Sequence, residues 1–128
     1  MNGMRKVVLL TLGWLLWSPA FAADLSGVWK NDELPAWVEI QFDSDTGTGT
    51  VRRNDEKPEA VGRVLLKDVV ADGSAADSWR GQIFAARLGE YKDAEISLPQ
   101  PDKMEIKVKV GFMSKTVTWT RAAAVPQQ

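Results

Sequence analysis

From residue 25 onward, apolar and polar positions alternate with a period of two. The clearest run is Met104-Glu105-Ile106-Lys107-Val108-Lys109-Val110, in which every even position is apolar and every odd one charged. Ala36-Trp37-Val38-Glu39-Ile40-Gln41-Phe42 repeats the pattern, with Trp37 as the one large apolar residue on its outer side. Such alternation marks strands with one buried face, because successive side chains leave a pleated chain on opposite sides. Weaker copies at residues 25–30, 48–53, 63–70, 79–84, 91–98 and 116–121 complete eight predicted strands.

Turn chemistry separates them. Asp43-Ser44-Asp45-Thr46-Gly47 is predicted to close a hairpin, and Asp72-Gly73-Ser74 and Leu88-Gly89-Glu90 carry the same signal of a glycine able to take positive φ. Pro99-Gln100-Pro101-Asp102 is predicted to lie outside the sheet, since proline has no amide hydrogen for a ladder. After residue 25 no stretch shows a helical apolar stripe and no connection has room for a crossover helix, so the strands pair antiparallel. The fold class is all-β. Two architectures satisfy it: an eight-stranded antiparallel up-and-down β-barrel and a two-sheet β-sandwich. The barrel is favoured because closure leaves no exposed edge. By parity its interior holds Leu25, Trp29, Val38, Ile40, Phe42, Trp79, Ile83, Ala94, Ile96, Leu98, Met104, Ile106, Val108, Val110, Val117 and Trp119. Strand 63–70 leaves its own parity open, with Val64 and Leu66 facing one way and Leu65 and Val69 the other.

The segment before the strands reads differently. Arg5 and Lys6 precede the apolar run Val7 to Trp17, and Ser18-Pro19-Ala20-Phe21-Ala22 follows, with small residues at the places a signal peptidase reads. The run is shorter than the about 20 apolar residues that a membrane crossing needs. Residues 1–22 are therefore expected to be a cleaved signal peptide. Residues 23–128 are expected to be one barrel domain, with 122–128 as a flexible tail and no transmembrane span. Cleavage leaves 14 basic against 17 acidic residues, interleaved as in Arg52-Arg53-Asn54-Asp55-Glu56-Lys57, which argues against a nucleic-acid partner.

The chain has no Cys and no His. Disulfides, thiolate or imidazole metal sites and His-based catalysis are excluded. Asp32-Glu33 and Asp55-Glu56 are adjacent carboxylates in polar connections, and neighbours in sequence point apart. Asp43 to Asn54 fails as a calcium loop, having Thr48 where glycine and Asn54 where glutamate is required. The expectation is a protein that is not an enzyme and carries neither cofactor nor metal.

Gly27-Val28-Trp29 opens the first strand and Thr118-Trp119-Thr120-Arg121 closes the last. A Gly-x-Trp answered by an Arg at the end of the final strand is similar to the structural signature of the calycin barrels, lipocalins included, and marks Gly27, Trp29, Trp119 and Arg121. Further matches lie at Val38-Glu39-Ile40, Trp79-x-Gly81-x-Ile83, Gly89-x-Tyr91, Gly111-Phe112 and Lys115-Thr116-x-Thr118. With these, residues 25–121 resemble the bacterial exported family known as domain of unknown function 2147. The resemblance implies a lipocalin-like barrel and a periplasmic or secreted location, and it brings no assigned activity. Many members carry a Cys pair ahead of the fourth strand, where this chain has Asn54 to Ala60, and their Asp-Pro turn is replaced here by Ala85-Ala86.

Two functions fit these residues. In the first, the barrel binds a small hydrophobic or amphiphilic molecule through Trp29, Val38, Ile40, Trp79, Ile83, Met104 and Ile106, with Tyr91 as a polar handle at the mouth. In the alternative, the three inward indoles fill the barrel. The protein then meets an envelope protein or glycan through Trp37, Phe112 and Met113.

Overall fold

The computed structural model describes residues 24–127. Eight strands follow in order: β1 (Gly27–Asn31), β2 (Ala36–Asp43), β3 (Thr46–Asn54), β4 (Val64–Ala71), β5 (Ser78–Ala85), β6 (Glu90–Gln100), β7 (Lys103–Val110) and β8 (Met113–Ala122). Each pairs antiparallel with the next, and β8 returns to β1, so the sheet is a closed barrel. The sandwich alternative is thereby excluded. The expected signal peptide lies outside the described residues. At the other end β8 runs through Ala122, and the carbonyl of Pro126 accepts a hydrogen bond of 2.8 Å from Arg53 Nη1.

Strands that alternate in direction place their connections at alternate ends. The base carries Leu25 and the β2–β3, β4–β5 and β6–β7 turns. The mouth carries the β1–β2, β3–β4, β5–β6 and β7–β8 connections, including a single 3-10 turn at Pro58–Ala60 whose Ala60 is buried. The interior holds the predicted Leu25, Trp29, Val38, Ile40, Trp79, Ala94, Ile96, Leu98, Met104, Ile106 and Trp119, with Phe42, Ile83, Val108 and Val117 half-buried against them.

Three local expectations are corrected and one open point is resolved. Pro99 lies inside β6, where the ladder to β7 slips between Ser97 and Gln100 and so requires no donor from it. Gly47 belongs to β3; the hairpin before it turns on Ser44, at φ 56°. Val110 is exposed although its parity is inward, because β7 and β8 run on past the rim. The open parity of β4 resolves through a bulge: Asp68 sits at φ 55°, and the register with β5 shifts between Lys67 and Val70. The extra residue lets Leu66 and Val69, three apart, both point inward and be fully buried.

Candidate functional site

The base is closed where the barrel's first and last strands meet. Trp29 Nε1 donates to the carbonyl of Leu25 at 2.9 Å, and the Arg121 guanidinium carbon lies 4.3 Å from the Trp29 ring centroid. The same guanidinium donates to the carbonyls of Asp24 (2.7 Å), Ser26 (2.8 Å) and Pro101 (3.1 Å). Gly27 makes room for it: its φ is 123°, and a Cβ there would stand 3.2 Å from Arg121 Nη1. Gly27, Trp29 and Arg121 thus form one packing device, while Trp119 lies beside them in the core.

Above the base the inward side chains form one buried apolar cluster. Three inward positions are glycine, and each is filled from a neighbouring residue. A Cβ on Gly47 would lie 2.8 Å from the Phe42 ring, one on Gly49 3.1 Å from Leu66, and one on Gly81 2.9 Å from Val69. The proposed lining residues Trp29, Val38, Ile40, Trp79, Met104 and Ile106 come together here, but as buried core with their side chains against one another. The Thr46-Gly47-Thr48-Gly49-Thr50 spacing, which puts two glycines on one face of a strand, is the sequence signal that the reading by alternation passed over.

Nearer the mouth, Ile83, Val108 and Val117 stay half-buried; their strand partners Leu66, Ala94 and Ile106 are buried below them. Trp119 Nε1 is buried with no acceptor among the described residues. Asn31, its cross-strand neighbour, is also buried, and its Oδ1 accepts from the amides of Glu33 and Leu34.

Two expected contact residues are placed otherwise. Trp37 does face outward, yet only 8% of it is accessible. Lys30 Nζ stands 5.5 Å and Arg53 Cζ 5.0 Å from its ring centroid, so a cation covers it from each neighbouring strand. A hydrogen bond to Asp55 holds Arg53 in place and raises its pKa. Trp37 is therefore a small external core and not a free surface. Tyr91 is neither a mouth handle nor a solvated rim residue: its hydroxyl donates to the carbonyl of Val64 at 2.7 Å, with Phe84 edge-on at 5.3 Å and Lys67 Nζ 4.1 Å from the ring centroid. It faces outward because its partner on β5 is Phe84, one residue off the inward Ile83.

The outer face of β5, β6 and β7 forms an open groove of about 630 Å³. Arg80, Glu95 and Lys107 follow one another across it, as do Gln82 and Asp93 in the next row. Opposite charges on neighbouring strands stabilise the sheet by about 0.2–1 kcal/mol per pair, and the alternation leaves the groove without one dominant sign. Among the described residues no group of three or more acidic side chains is placed to hold a metal ion.

Phe112 and Met113, by contrast, are open to solvent. They stand at the tip of the β7–β8 hairpin with relative accessibilities of 109% and 76%.

A family model described as "Uncharacterized protein conserved in bacteria (DUF2147)" matches residues 27–121. No curated protein matches the chain. Among solved structures it is similar to protein HP1028 from the human pathogen Helicobacter pylori, described as belonging to the lipocalin family. The two are 19% identical with a TM-score of 0.61, over 79% of this chain and 84% of that one. The likeness is one of fold.

Proposed function

The chain belongs to that bacterial family, and we propose that it is an exported, non-catalytic β-barrel of the cell envelope that acts through its outer surface rather than by carrying a guest inside. The observation that carries this reading is the filling of Gly47, Gly49 and Gly81 by Phe42, Leu66 and Val69. A cavity able to hold a ligand of ordinary size needs roughly 300 Å³ or more, whereas even a Cβ would collide at Gly47 and Gly81 and be crowded at Gly49. Phe112 and Met113 are then the most exposed of the apolar groups left to meet a partner.

A second reading has its own support. Ile83, Val108 and Val117 leave apolar surface at the mouth, and the Nε1 of Trp119 is a buried donor without an acceptor. A small amphiphile seated shallowly there, with an oxygen toward that indole, suits both observations. Native mass spectrometry of the protein purified from an exporting cell separates the two. The surface reading expects the bare mass of a chain beginning at Ala23, while a co-purified amphiphile of fixed mass replaces it with the second.

A further inference from the structure

The apolar groups left exposed are not scattered. Leu34, Val61, Leu88, Val110, Phe112 and Met113 are the large apolar residues with high accessibility among the described residues. Each belongs to a connection or strand tip at the mouth: Leu34 between β1 and β2, Val61 between β3 and β4, Leu88 between β5 and β6, and the other three at the end of β7 and β8. The base turns carry acids instead, at Asp43, Asp45, Asp72, Asp77 and Asp102.

The β7–β8 hairpin reaches furthest from the barrel. Its pairs Lys109↔Ser114 and Val110↔Met113 have no continuation on either side: β6 leaves β7 at Val108, and β1 meets β8 only from Trp119 to Ala122. The arm is a two-stranded ribbon whose tip, Val110-Gly111-Phe112-Met113, is apolar and whose flanks are Lys107, Lys109 and Lys115, all exposed. From Ile106 to Arg121 there is no acidic residue. On the neighbouring β5–β6 hairpin, Arg87 and Leu88 repeat the pairing of cation and apolar tip, and Glu90 is engaged with Lys92 at 2.9 Å. Among the described residues, the unpaired acids at this end lie on the other side, at Glu33, Glu56 and Glu59 in the β1–β2 and β3–β4 connections, while Asp32 is engaged with Lys103 at 3.6 Å and Asp55 with Arg53 at 2.7 Å.

We propose that the mouth end of the β5–β8 side docks on an anionic phospholipid bilayer, with Phe112 and Met113 entering the headgroup region and Lys109 and Lys115 meeting the lipid phosphates. The inference rests on the surface reading above and names its partner. With 14 basic against 17 acidic residues, the chain from Ala23 onward has little general attraction to an anionic surface, so the local excess of lysine around an apolar tip sets the orientation. Large apolar side chains beneath a ring of basic ones are the chemistry that the headgroup layer accepts. The acids on the β1–β4 side tilt that side away.

The test uses the chain from Ala23 onward, since every strand and the whole core lie within residues 24–127. Co-sedimentation is compared on phosphatidylcholine vesicles with and without phosphatidylglycerol. The expected result is binding to the anionic vesicles that weakens about tenfold in Phe112→Ser with Met113→Ser, about tenfold in Lys109→Gln with Lys115→Gln, and on raising salt. Urea midpoints within error of the parent show that each variant is folded. Equal binding to neutral vesicles, or binding unchanged in either variant, overturns the proposal. So does a dimer in solution abolished by Phe112→Ser, which assigns the tip to a second copy. An envelope protein retained by the parent but not by the Phe112 variant, with vesicles ignored, overturns the lipid assignment alone and leaves the surface reading standing.

Discussion

The guanidinium carbon of Arg121 lies over the indole of Trp29, 4.3 Å from its centroid, and joins residues that are 92 positions apart in the chain. Its three donors to Asp24, Ser26 and Pro101 tie the segment leading into β1 and the β6–β7 turn to the last strand. The closure of the barrel thus depends on one side chain that is both a cation over a ring and a fork between carbonyls. Arg121→Ala is expected to lower the unfolding free energy in urea by about 2–4 kcal/mol. Arg121→Lys keeps the charge but loses the planar fork, and is expected to fall between the two. A lysine variant as unstable as alanine would show that the charge over the ring contributes nothing.

Gly81 offers the sharpest test of a filled interior. A Cβ there meets Val69 Cγ2 at 2.9 Å, the Lys67 carbonyl oxygen at 3.0 Å and Val69 Cα at 3.1 Å, so two of the three contacts are backbone and cannot rotate away. Gly81→Ala is expected to destabilise by about 1–3 kcal/mol, although alanine otherwise suits a strand better than glycine. Equal or greater stability in denaturant titration would mean that the barrel wall yields easily at this point, and with it the argument against an internal guest.

Alternation made the strands and barrel legible because each strand buries a single face, and that period survives in runs such as Met104 to Val110. It fails where side chains leave the two-faced rule. Val110 obeys the parity and is nonetheless exposed, since strand length relative to the rim is not written in polarity. Trp37 obeys it and is nonetheless buried, because Lys30 and Arg53 lie over it with their own apolar stems. Tyr91, read as a polar handle at the mouth, is held by a carbonyl 27 positions earlier that no local pattern points to. Of the candidate surface, Phe112 and Met113 were readable as apolar residues in a turn. Their isolation from β1 and β6 is a matter of register and came only from the fold.

The cover on Trp37 predicts a spectroscopic effect. Arg53→Ala removes one of the two cations over the ring, together with the link to Pro126. Tryptophan emission is expected to move to longer wavelength, with a stability loss of about 0.5–2 kcal/mol. The same substitution in a Trp37→Phe background should leave the emission where it was. A shift that persists there would place the change at another indole.

Asp68 holds the bulge that decides the parity of β4. At φ 55° it occupies a region that a β-branched residue tolerates poorly and that glycine and asparagine accept. Because the bulge lets both Leu66 and Val69 reach the interior, a residue unable to hold it forces one of them outward. Asp68→Val is therefore expected to lose more than local strain, about 2–4 kcal/mol in all, combining an unfavourable φ with an under-filled core. Asp68→Gly and Asp68→Asn are expected to equal the parent or nearly so, since each accepts the positive φ that the bulge requires. The decisive comparison is valine against asparagine by urea unfolding. If the two are alike, the conformation of β4 is imposed by its neighbours, and the bulge is a consequence of burying Leu66 and Val69 rather than the means to it.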